Sequence, residues 1–211
     1  NGRRRPKGAT VAAGDVVSIP ASLGTDAGAT PEPDAPLAVV FESPKVLVVD
    51  KPAGQPTAPL RPGETGTLAN ALVGRYPSLA GVGYGPREPG VLHRLDTDTT
   101  GLVVVARDSA AFDALREALR TDRITKEYLA VCAEKDLPDQ GTIDIPLANH
   151  PKDSRRVYPC IHPRDVARYQ PRPASTKYSV ERRVGEWALV KVECARALRH
   201  QIRAHFAAIE H

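Results

Sequence analysis

The most informative part of this chain is His93-Arg94-Leu95-Asp96-Thr97-Asp98-Thr99-Thr100-Gly101-Leu102, a polar loop between two apolar segments. Thr99 and Thr100 supply hydroxyl groups to the loop, and Gly101 allows a tight turn of its backbone. Such a loop on a rigid scaffold is where proteins tend to hold functional groups. Asp96 is then either a carboxylate nucleophile or an aspartate that only caps the turn, and the local pattern leaves both interpretations open.

Short apolar runs on either side of this loop predict a domain with more strands than helices. Residues 38–42 and 45–50 are β-branched runs separated by Ser43-Pro44, which predicts a hairpin. Residues 67–73 have helical apolar spacing, with Thr67 as the N-cap. Further strands are predicted at 101–106, 128–132, 174–182 and 187–194, and further helices at 110–120 (capped by Asp108 or Ser109) and from about 200. This irregular order favours an α+β fold with a mixed or mostly antiparallel central sheet flanked by helices.

Composition divides the chain into three parts. Residues 1–20 are a short basic segment followed by a turn and a predicted strand, and residues 21–36, rich in Pro, Gly, Ala and Thr, are predicted to be a linker. The main domain is expected over residues 37–211. Because the sequence begins at Asn1 and stops at His211 directly after a helical pattern, we expect a fragment with a truncated C-terminus.

Composition and charge narrow the function classes. A length of 211 residues fits one main domain, and a net charge of +4 is compatible with an anionic partner such as nucleic acid. The three cysteines are widely spaced without a CxxC pair, which argues against a disulfide framework or a structural zinc site and favours inert thiols in the cytoplasm. No apolar run approaches the roughly 20 residues of a membrane span, so no membrane partner is expected.

Four motifs, in the same order along the chain, resemble the RluA-type RNA pseudouridine synthase family. The His-Arg-Leu-Asp loop followed by Thr-x-x-Thr-Gly-Leu resembles the signature loop of that family. The others are the opening strand pair with its Lys-Pro-x-Gly turn (41–54), the Lys-x-Tyr-x-Ala strand (124–130) and the His-Gln-Ile-Arg helix start (200–205). The likeness runs from about residue 38 to the end, and it implies the pseudouridine synthase fold.

The resemblance implies three catalytic residues. Asp96 is the nucleophile, and Arg203 is the partner that pairs with it and keeps it ionised. Tyr128 packs against the target base and takes part in moving its C5 proton, since an aromatic face is a stacking platform for a flipped base. Taken alone, Tyr128 would more often be a core residue and Arg203 a solvated helix residue. His93 is interpreted as structural.

Eight residues are expected to contact RNA, and Arg94 among them would occupy the space that the base leaves. Between 150 and 173 there are six Lys or Arg against two acids, with tyrosines and prolines interleaved. This pattern resembles a loop that follows a phosphate backbone, although a solvated charged loop has the same composition. The expected RNA-binding residues are Arg94, Thr99, Thr100, Lys126, Arg155, Arg156, Arg199 and His200.

The chain departs from the family pattern directly before the His-Gln-Ile-Arg motif. It has Ala197-Leu198-Arg199 where the family has Gly-Arg-x. At the other end of the chain, residues 1–16 resemble the end of a small RNA-binding module.

The implied reaction converts a uridine of ribosomal or transfer RNA into pseudouridine. Asp96 would attack the flipped uridine at C6 of the base or at C1′ of the sugar. No redox step occurs and no group leaves, so neither a metal nor an organic cofactor is implied, and a monomer is the default. Two alternatives stay open. The first is an inactive RNA-binding protein with the same fold. The second is a hydrolase, which would need Asp98 as its second carboxylate.

Overall fold

Three antiparallel β-sheets and four α-helices make up the part of the chain that the computed structural model describes, residues 10, 12–16, 27–153, 156–195 and 197–211. The first sheet has the order β1-β2-β3, with β1 Ala38–Glu42, β2 Val46–Lys51 and β3 Gly101–Ala106. The second has the order β4-β9-β8-β5, with β4 Lys126–Ala133, β9 Trp187–Cys194, β8 Ser175–Val184 and β5 Gln140–Asp144. The third pairs β6 Leu147–Asn149 with β7 Val157–Pro159.

The first sheet packs one face against a short helix. Alternate residues of β2 and β3 are fully buried, among them Leu47, Val49 and Val103, as the period of a half-buried strand requires. They form one core with Leu68 and Leu72 of helix α1, which spans Leu68–Arg75. The predicted hairpin of β1 and β2 is confirmed.

Helix α1 begins at the predicted cap. The Thr67 side chain accepts a hydrogen bond from the Asn70 backbone N–H, and the Asn70 side chain accepts one from the Thr67 N–H. These two bonds satisfy donors that the first turn of a helix otherwise leaves unpaired. The helix predicted over 67–73 is therefore confirmed, with its end two residues later.

A second core lies under the second sheet. Val190 and Val192 of β9 are fully buried and pack with Tyr178 of β8 and with Phe206 of helix α4, which spans Gln201–Ala208. Tyr128 of β4 contacts both this core and the first one. It therefore lies where the two larger sheets meet.

Two further helices and a 3₁₀ turn complete the described elements. Helix α2 spans Ser109–Arg120, and Asp108, one of the two predicted caps, accepts a hydrogen bond from the Ala111 N–H. Helix α3 spans Pro163–Tyr169, and the 3₁₀ turn spans Pro77–Leu79. The prediction of an α+β fold is confirmed. The expected central sheet is divided into two larger sheets, and every pairing among the described strands is antiparallel.

Two predicted irregular segments contain more order than their composition indicates. The stretch interpreted as a basic loop at 150–173 holds β7 and α3, and Pro163 stands in the first turn of α3, where its missing N–H costs nothing. Of the predicted linker, residues 27–36 are described, and the Glu32 N–H donates to the Asn70 carbonyl of α1. Residues 17–26 lie outside the described part, and with them most of the strand predicted after the turn at Gly14-Asp15.

Candidate active site

Asp96 lies in a tight turn at the edge of the first sheet. The Thr99 N–H donates to the Asp96 carbonyl at 3.0 Å, which closes the turn. Gly101 follows with φ +129°, a conformation that side-chain-bearing residues rarely adopt, so the glycine of the motif is needed to lead the loop into β3. The Asp96 side chain is 36% exposed, which leaves its carboxylate accessible to a substrate.

The two residues next to Asp96 in the chain are hydrogen-bonded to residues 51–57. The buried Thr57 hydroxyl donates to the Leu95 carbonyl at 2.8 Å and accepts from the Leu95 N–H at 3.2 Å. On the other side, the Lys51 ammonium donates to the Thr97 carbonyl at 3.0 Å. The backbone that carries the carboxylate is therefore held on each side, which restricts the orientation of the Asp96 side chain.

Lys51 is a fully buried lysine at the end of β2. Its side chain is 0% exposed, and its three N–H bonds reach the carbonyls of Pro52, Gln55 and Thr97 at 2.7–3.0 Å. Burial lowers the pKa of Lys51, and the carboxylates of Asp98 and Asp96 partly oppose this shift. Lys51 thus supports the Asp96 loop both by hydrogen bonds and by charge.

Helix α4 carries Arg203 to the same place. Arg203 Nη2 lies 2.6 Å from Asp96 Oδ2, across 107 residues of sequence. The Arg203 side chain is 66% exposed, so this pair contributes little to the stability of the fold. The pair instead orients the Asp96 side chain, because the guanidinium fixes the position of one carboxylate oxygen.

A buried polar network fixes the start of α4. Gln201 is 1% exposed and donates to the Ser175 carbonyl and to the Thr176 hydroxyl, both at 2.9 Å. His205, one turn later and 0% exposed, contacts the Thr176 hydroxyl at 2.8 Å and the Ile145 carbonyl at 2.9 Å. Burial lowers the pKa of His205, opposed by the Ile145 hydrogen bond and by Asp144. Because Arg203 lies between these two anchors, its position follows from theirs.

His200 stands at the N-cap of α4 in the left-handed region, with φ 55°. Its Nε2 lies 3.8 Å from Asp96 Oδ1, beyond hydrogen-bond distance. Burial lowers the pKa of His200 and outweighs the opposing effect of the Asp96 carboxylate, so the imidazole is neutral at pH 7. It therefore lies beside Asp96 as an uncharged neighbour.

Tyr128 is half-buried between the two larger sheets. Burial, followed by the Cys194 thiol and the Asp96 carboxylate, raises the pKa of Tyr128 to about 12. The phenol is protonated at neutral pH, so it can accept a proton only while it passes its own proton on.

His93 is a half-buried imidazole next to the loop. Its Nε2 accepts a hydrogen bond from the Val104 N–H at 3.3 Å, and its Nδ1 has no partner among the described residues. Burial, assisted by the Lys126 charge, lowers the pKa of His93 to about 4. The contacts agree with the structural role expected from the sequence.

His93→Gln is expected to make the protein less sensitive to acid. Below pH 6.5 the unfolded chain protonates this imidazole, whereas the folded chain does so only near pH 4. Stability that is present above pH 6.5 is therefore lost as the pH falls, by about 3 kcal/mol at pH 4. Urea unfolding at pH 7 and pH 4 should show a smaller difference for the variant than for the wild type. The exposed His162→Gln is the control, and an equal pH dependence in all three proteins would contradict the assignment.

Three of the expected RNA-binding residues line one cleft of about 980 Å³: Arg94, Lys126 and Arg199. Burial lowers the pKa of Lys126. Arg94 also pairs with Glu88 at 3.3 Å. Thr99 and Thr100 lie in the Asp96 loop, and Arg156 is exposed in the segment between β6 and β7, outside the lining of this cleft. Arg155 lies outside the described residues.

Four residues that hold this site had no role predicted from the sequence: Lys51, Thr57, Gln201 and His205. A supporting role for Lys51 could have been predicted from the sequence. It stands at the end of an apolar strand, a position at which a solvated lysine is not expected. Gln201 and His205 have helical i, i+4 spacing, which places them on one face. Thr57 has no recognisable pattern.

Neither a metal site nor a membrane-spanning helix is present among the described residues. In that part of the chain no three His, Cys, Asp or Glu side chains converge in an arrangement that could hold a metal ion. None of the described helices combines the length and the apolar character needed to cross a bilayer.

Comparison with known proteins shows that the sequence of this chain is similar to one family. The family model described as RNA pseudouridylate synthase matches residues 45–208. The chain is 38% identical over 198 residues to a ribosomal large subunit pseudouridine synthase D of Xanthomonas campestris pv. campestris, covering 94% of the chain and 56% of that protein. It is 35% identical over 213 residues to the protein of the same name from Yersinia pestis, covering 100% of the chain and 61% of that protein. The chain therefore spans 56–61% of the length of these relatives.

Solved structures share the fold. Human RNA pseudouridylate synthase domain containing 1 superposes with a TM-score of 0.64 at 23% identity, covering 83% of this chain and 66% of that one. Human RNA pseudouridylate synthase domain containing 4 superposes with a TM-score of 0.60 at 24% identity, covering 81% and 64%. At these identities the likeness establishes the pseudouridine synthase fold.

Proposed function

Because the chain belongs to the RNA pseudouridylate synthase family, we propose that it isomerises uridine to pseudouridine in RNA, with Asp96 as the nucleophile. The observation that carries this proposal is the 2.6 Å pair of Asp96 and Arg203. The Asp96 carboxylate is accessible, its loop is fastened on both sides, and a guanidinium from a distant helix orients it. A carboxylate that only capped a turn would need none of these arrangements.

The proposed reaction conserves every atom of the base. An Asp96 oxygen attacks either C6 of the uracil or C1′ of the ribose, and the bond between N1 and C1′ breaks. The uracil turns, C5 bonds to C1′, and the carboxylate is released as its bond to the substrate breaks. The proton on C5 leaves and N1 takes up a proton, so the reaction is an isomerisation. It needs no oxidant and no leaving group, and we propose that the enzyme uses neither a metal nor an organic cofactor.

The neighbours of Asp96 receive distinct roles. Arg203 orients the nucleophile and stays with it through the reaction. Tyr128 offers its ring to the flipped base, and its neutral hydroxyl, with a pKa of about 12, relays the C5 proton rather than removing it as a phenolate. Arg94 fills the space that the flipped base leaves in the RNA, which offsets part of the few kcal/mol that extrusion costs.

Ribosomal RNA is the substrate that we propose. The names of the relatives from Xanthomonas and Yersinia refer to the large ribosomal subunit, and transfer RNA is the alternative substrate. Residues 37–211 would form the catalytic domain, and residues 1–20 would be the end of a small RNA-binding module. The protein would act as a monomer in the cytoplasm.

The experiment that tests the proposal is tritium release from RNA labelled at C5 of uridine. Ribosomal and transfer RNA pools are labelled separately, and the purified chain is added to each. Release from ribosomal RNA supports the proposal, and release from transfer RNA alone would move the substrate to that class. Binding of RNA without release from either pool would support the alternative of an inactive RNA-binding protein and overturn the proposed reaction.

Arg203 variants are expected to slow the chemical step more than they weaken substrate binding. Arg203→Ala should lower kcat by about 10²-fold, because the nucleophile loses the group that orients it. Arg203→Lys keeps the charge without the planar fork and should lower kcat about 10-fold. Single-turnover and steady-state tritium release separate kcat from KM. Arg182→Ala, an exposed change on β8, is the control, and a rise in KM at unchanged kcat would make Arg203 an RNA contact instead.

A further inference from the structure

We propose that the cleft beside the Asp96 loop binds an unpaired segment of RNA next to the target uridine, and that Arg116 and Arg120 of α2 hold its phosphates. This inference rests on the proposed function, which supplies RNA as the partner. The basic cleft, as we name this 980 Å³ space, lies between residues of α2 on one side and residues of β6, β7 and α3 on the other. The family motifs quoted above include neither arginine.

Charge is concentrated in the basic cleft. Among the described residues that line it, six are cationic (Arg94, Arg116, Arg120, Lys126, Arg172 and Arg199) and one, Glu117, is a carboxylate. The lining therefore carries more net positive charge than the whole chain, whose net charge is +4. A concave surface on which positive charge predominates concentrates the field, so a polyanion is the partner that fits it.

The two arginines of α2 are placed to bind successive phosphates. They are four residues apart, hence on one face of the helix, and both are exposed. Arg116 pairs with Asp113 at 3.2 Å and Arg120 with Glu117 at 2.6 Å. Both are exposed i, i+3 pairs that salt screens. Arg120 holds both oxygens of Glu117, at 2.7 and 2.6 Å, so a bound phosphate has to displace Glu117 from Arg120 and Asp113 from Arg116.

An aromatic ring at the cleft favours an unpaired strand. Tyr84 lines the cleft and is 56% exposed, and its ring packs edge-to-face on Phe112 of α2 with centroids 4.8 Å apart. Its orientation is therefore held by the helix that carries the two arginines. Cations that track a backbone, combined with aromatic rings for the bases, are the features of single-strand binding, because a duplex keeps its base faces stacked.

The basic cleft is lined in part by chain neighbours of the proposed catalytic residues, although Asp96, Tyr128 and Arg203 do not line it themselves. Arg94 lies two residues before Asp96 and Arg199 four residues before Arg203, and both line the cleft, so we infer that it opens next to the Asp96 loop. RNA in the cleft is therefore continuous with the strand that carries the target uridine.

The test measures RNA binding without turnover. Fluorescence anisotropy follows a labelled oligouridylate of about 15 nucleotides at several KCl concentrations. Relative to the wild type, the double variant R116A/R120A should bind about 10-fold more weakly, and the slope of log K against log[KCl] should fall by about 1.4, for two lost phosphate contacts. The matched control is K177A/R182A, which removes two exposed cations from β8. Equal binding by the wild type and R116A/R120A would overturn the proposal.

A second comparison distinguishes an unpaired strand from a duplex. Tyr84→Ala should weaken binding of the oligouridylate several-fold, by about the loss of one stacked base, and leave binding of an RNA duplex of the same length unchanged. Equal losses for both probes would overturn the assignment to an unpaired segment.

The experiments can contradict the proposed role of the cleft and the proposed reaction independently of each other. In tritium release, R116A/R120A should raise KM about 10-fold at unchanged kcat. If the wild type releases no tritium while R116A/R120A still loses affinity for the oligouridylate, the reaction is overturned and the cleft stands. If the wild type releases tritium and the double variant matches it in both KM and affinity, the cleft is overturned and the reaction stands.

Discussion

Asp96→Asn is expected to lower tritium release by at least about 10⁴-fold, the scale of losing a covalent nucleophile. The amide keeps the shape of the side chain and can still accept a hydrogen bond from Arg203, so the loop should stay in place. It has no charge, however, and cannot form the bond to the uridine. Affinity for the oligouridylate should change by no more than about twofold, since the cations of the basic cleft are untouched.

Asp98→Asn is the matched control for this variant. Asp98 is exposed, two residues further along the same loop, and the substitution makes the same chemical change. Its activity should stay within about twofold of the wild type. If both variants were inactive, Asp98 would also take part in the chemistry, whereas a hydrolase with paired carboxylates would release free uracil and no tritium even as the wild type. An active Asp96→Asn protein would remove Asp96 from the chemistry.

Lys51→Met is expected to be the most destabilising of the single changes considered. Methionine avoids burying an ammonium, but it leaves three carbonyls facing an apolar side chain. At about 1–3 kcal/mol for each lost partner, the net loss should be about 2–4 kcal/mol of unfolding free energy. Because the Thr97 carbonyl is one of the three, the Asp96 loop should also lose its position, and kcat should fall about 10²-fold.

Urea unfolding and tritium release test this expectation together. Lys45→Met is the matched control, because Lys45 is 66% exposed and pairs with Asp108 on the surface, where solvent screens the contact. Activity is measured at a temperature where circular dichroism shows Lys51→Met to be folded, so that lost activity reports the loop and not unfolding. Equal stability of the two variants would show that Lys51 does not support the fold.

Local patterns predicted the elements around the site well. The strands at 38–42 and 101–106 and the helix capped by Thr67 follow from neighbouring residues, since side-chain alternation and capping act over a few positions. Proline misled the interpretation of 150–173, because Pro163 begins a helix there instead of preventing one. The division into two sheets was not predicted, since strand pairing depends on residues far apart.

Short stretches of sequence were enough to identify the family, the order of its motifs, and which carboxylate, tyrosine and arginine to consider, because these are local properties. The way in which Asp96 is held depends instead on contacts between distant parts of the chain. Thr57 and Lys51 reach the Asp96 loop across 38 and 46 residues, and Arg203 reaches it across 107. The basic cleft has the same origin, since it joins α2 to segments that follow it by many residues. Such contacts depend on how sheets and helices pack, and that packing sums many small contributions from residues that no local pattern connects.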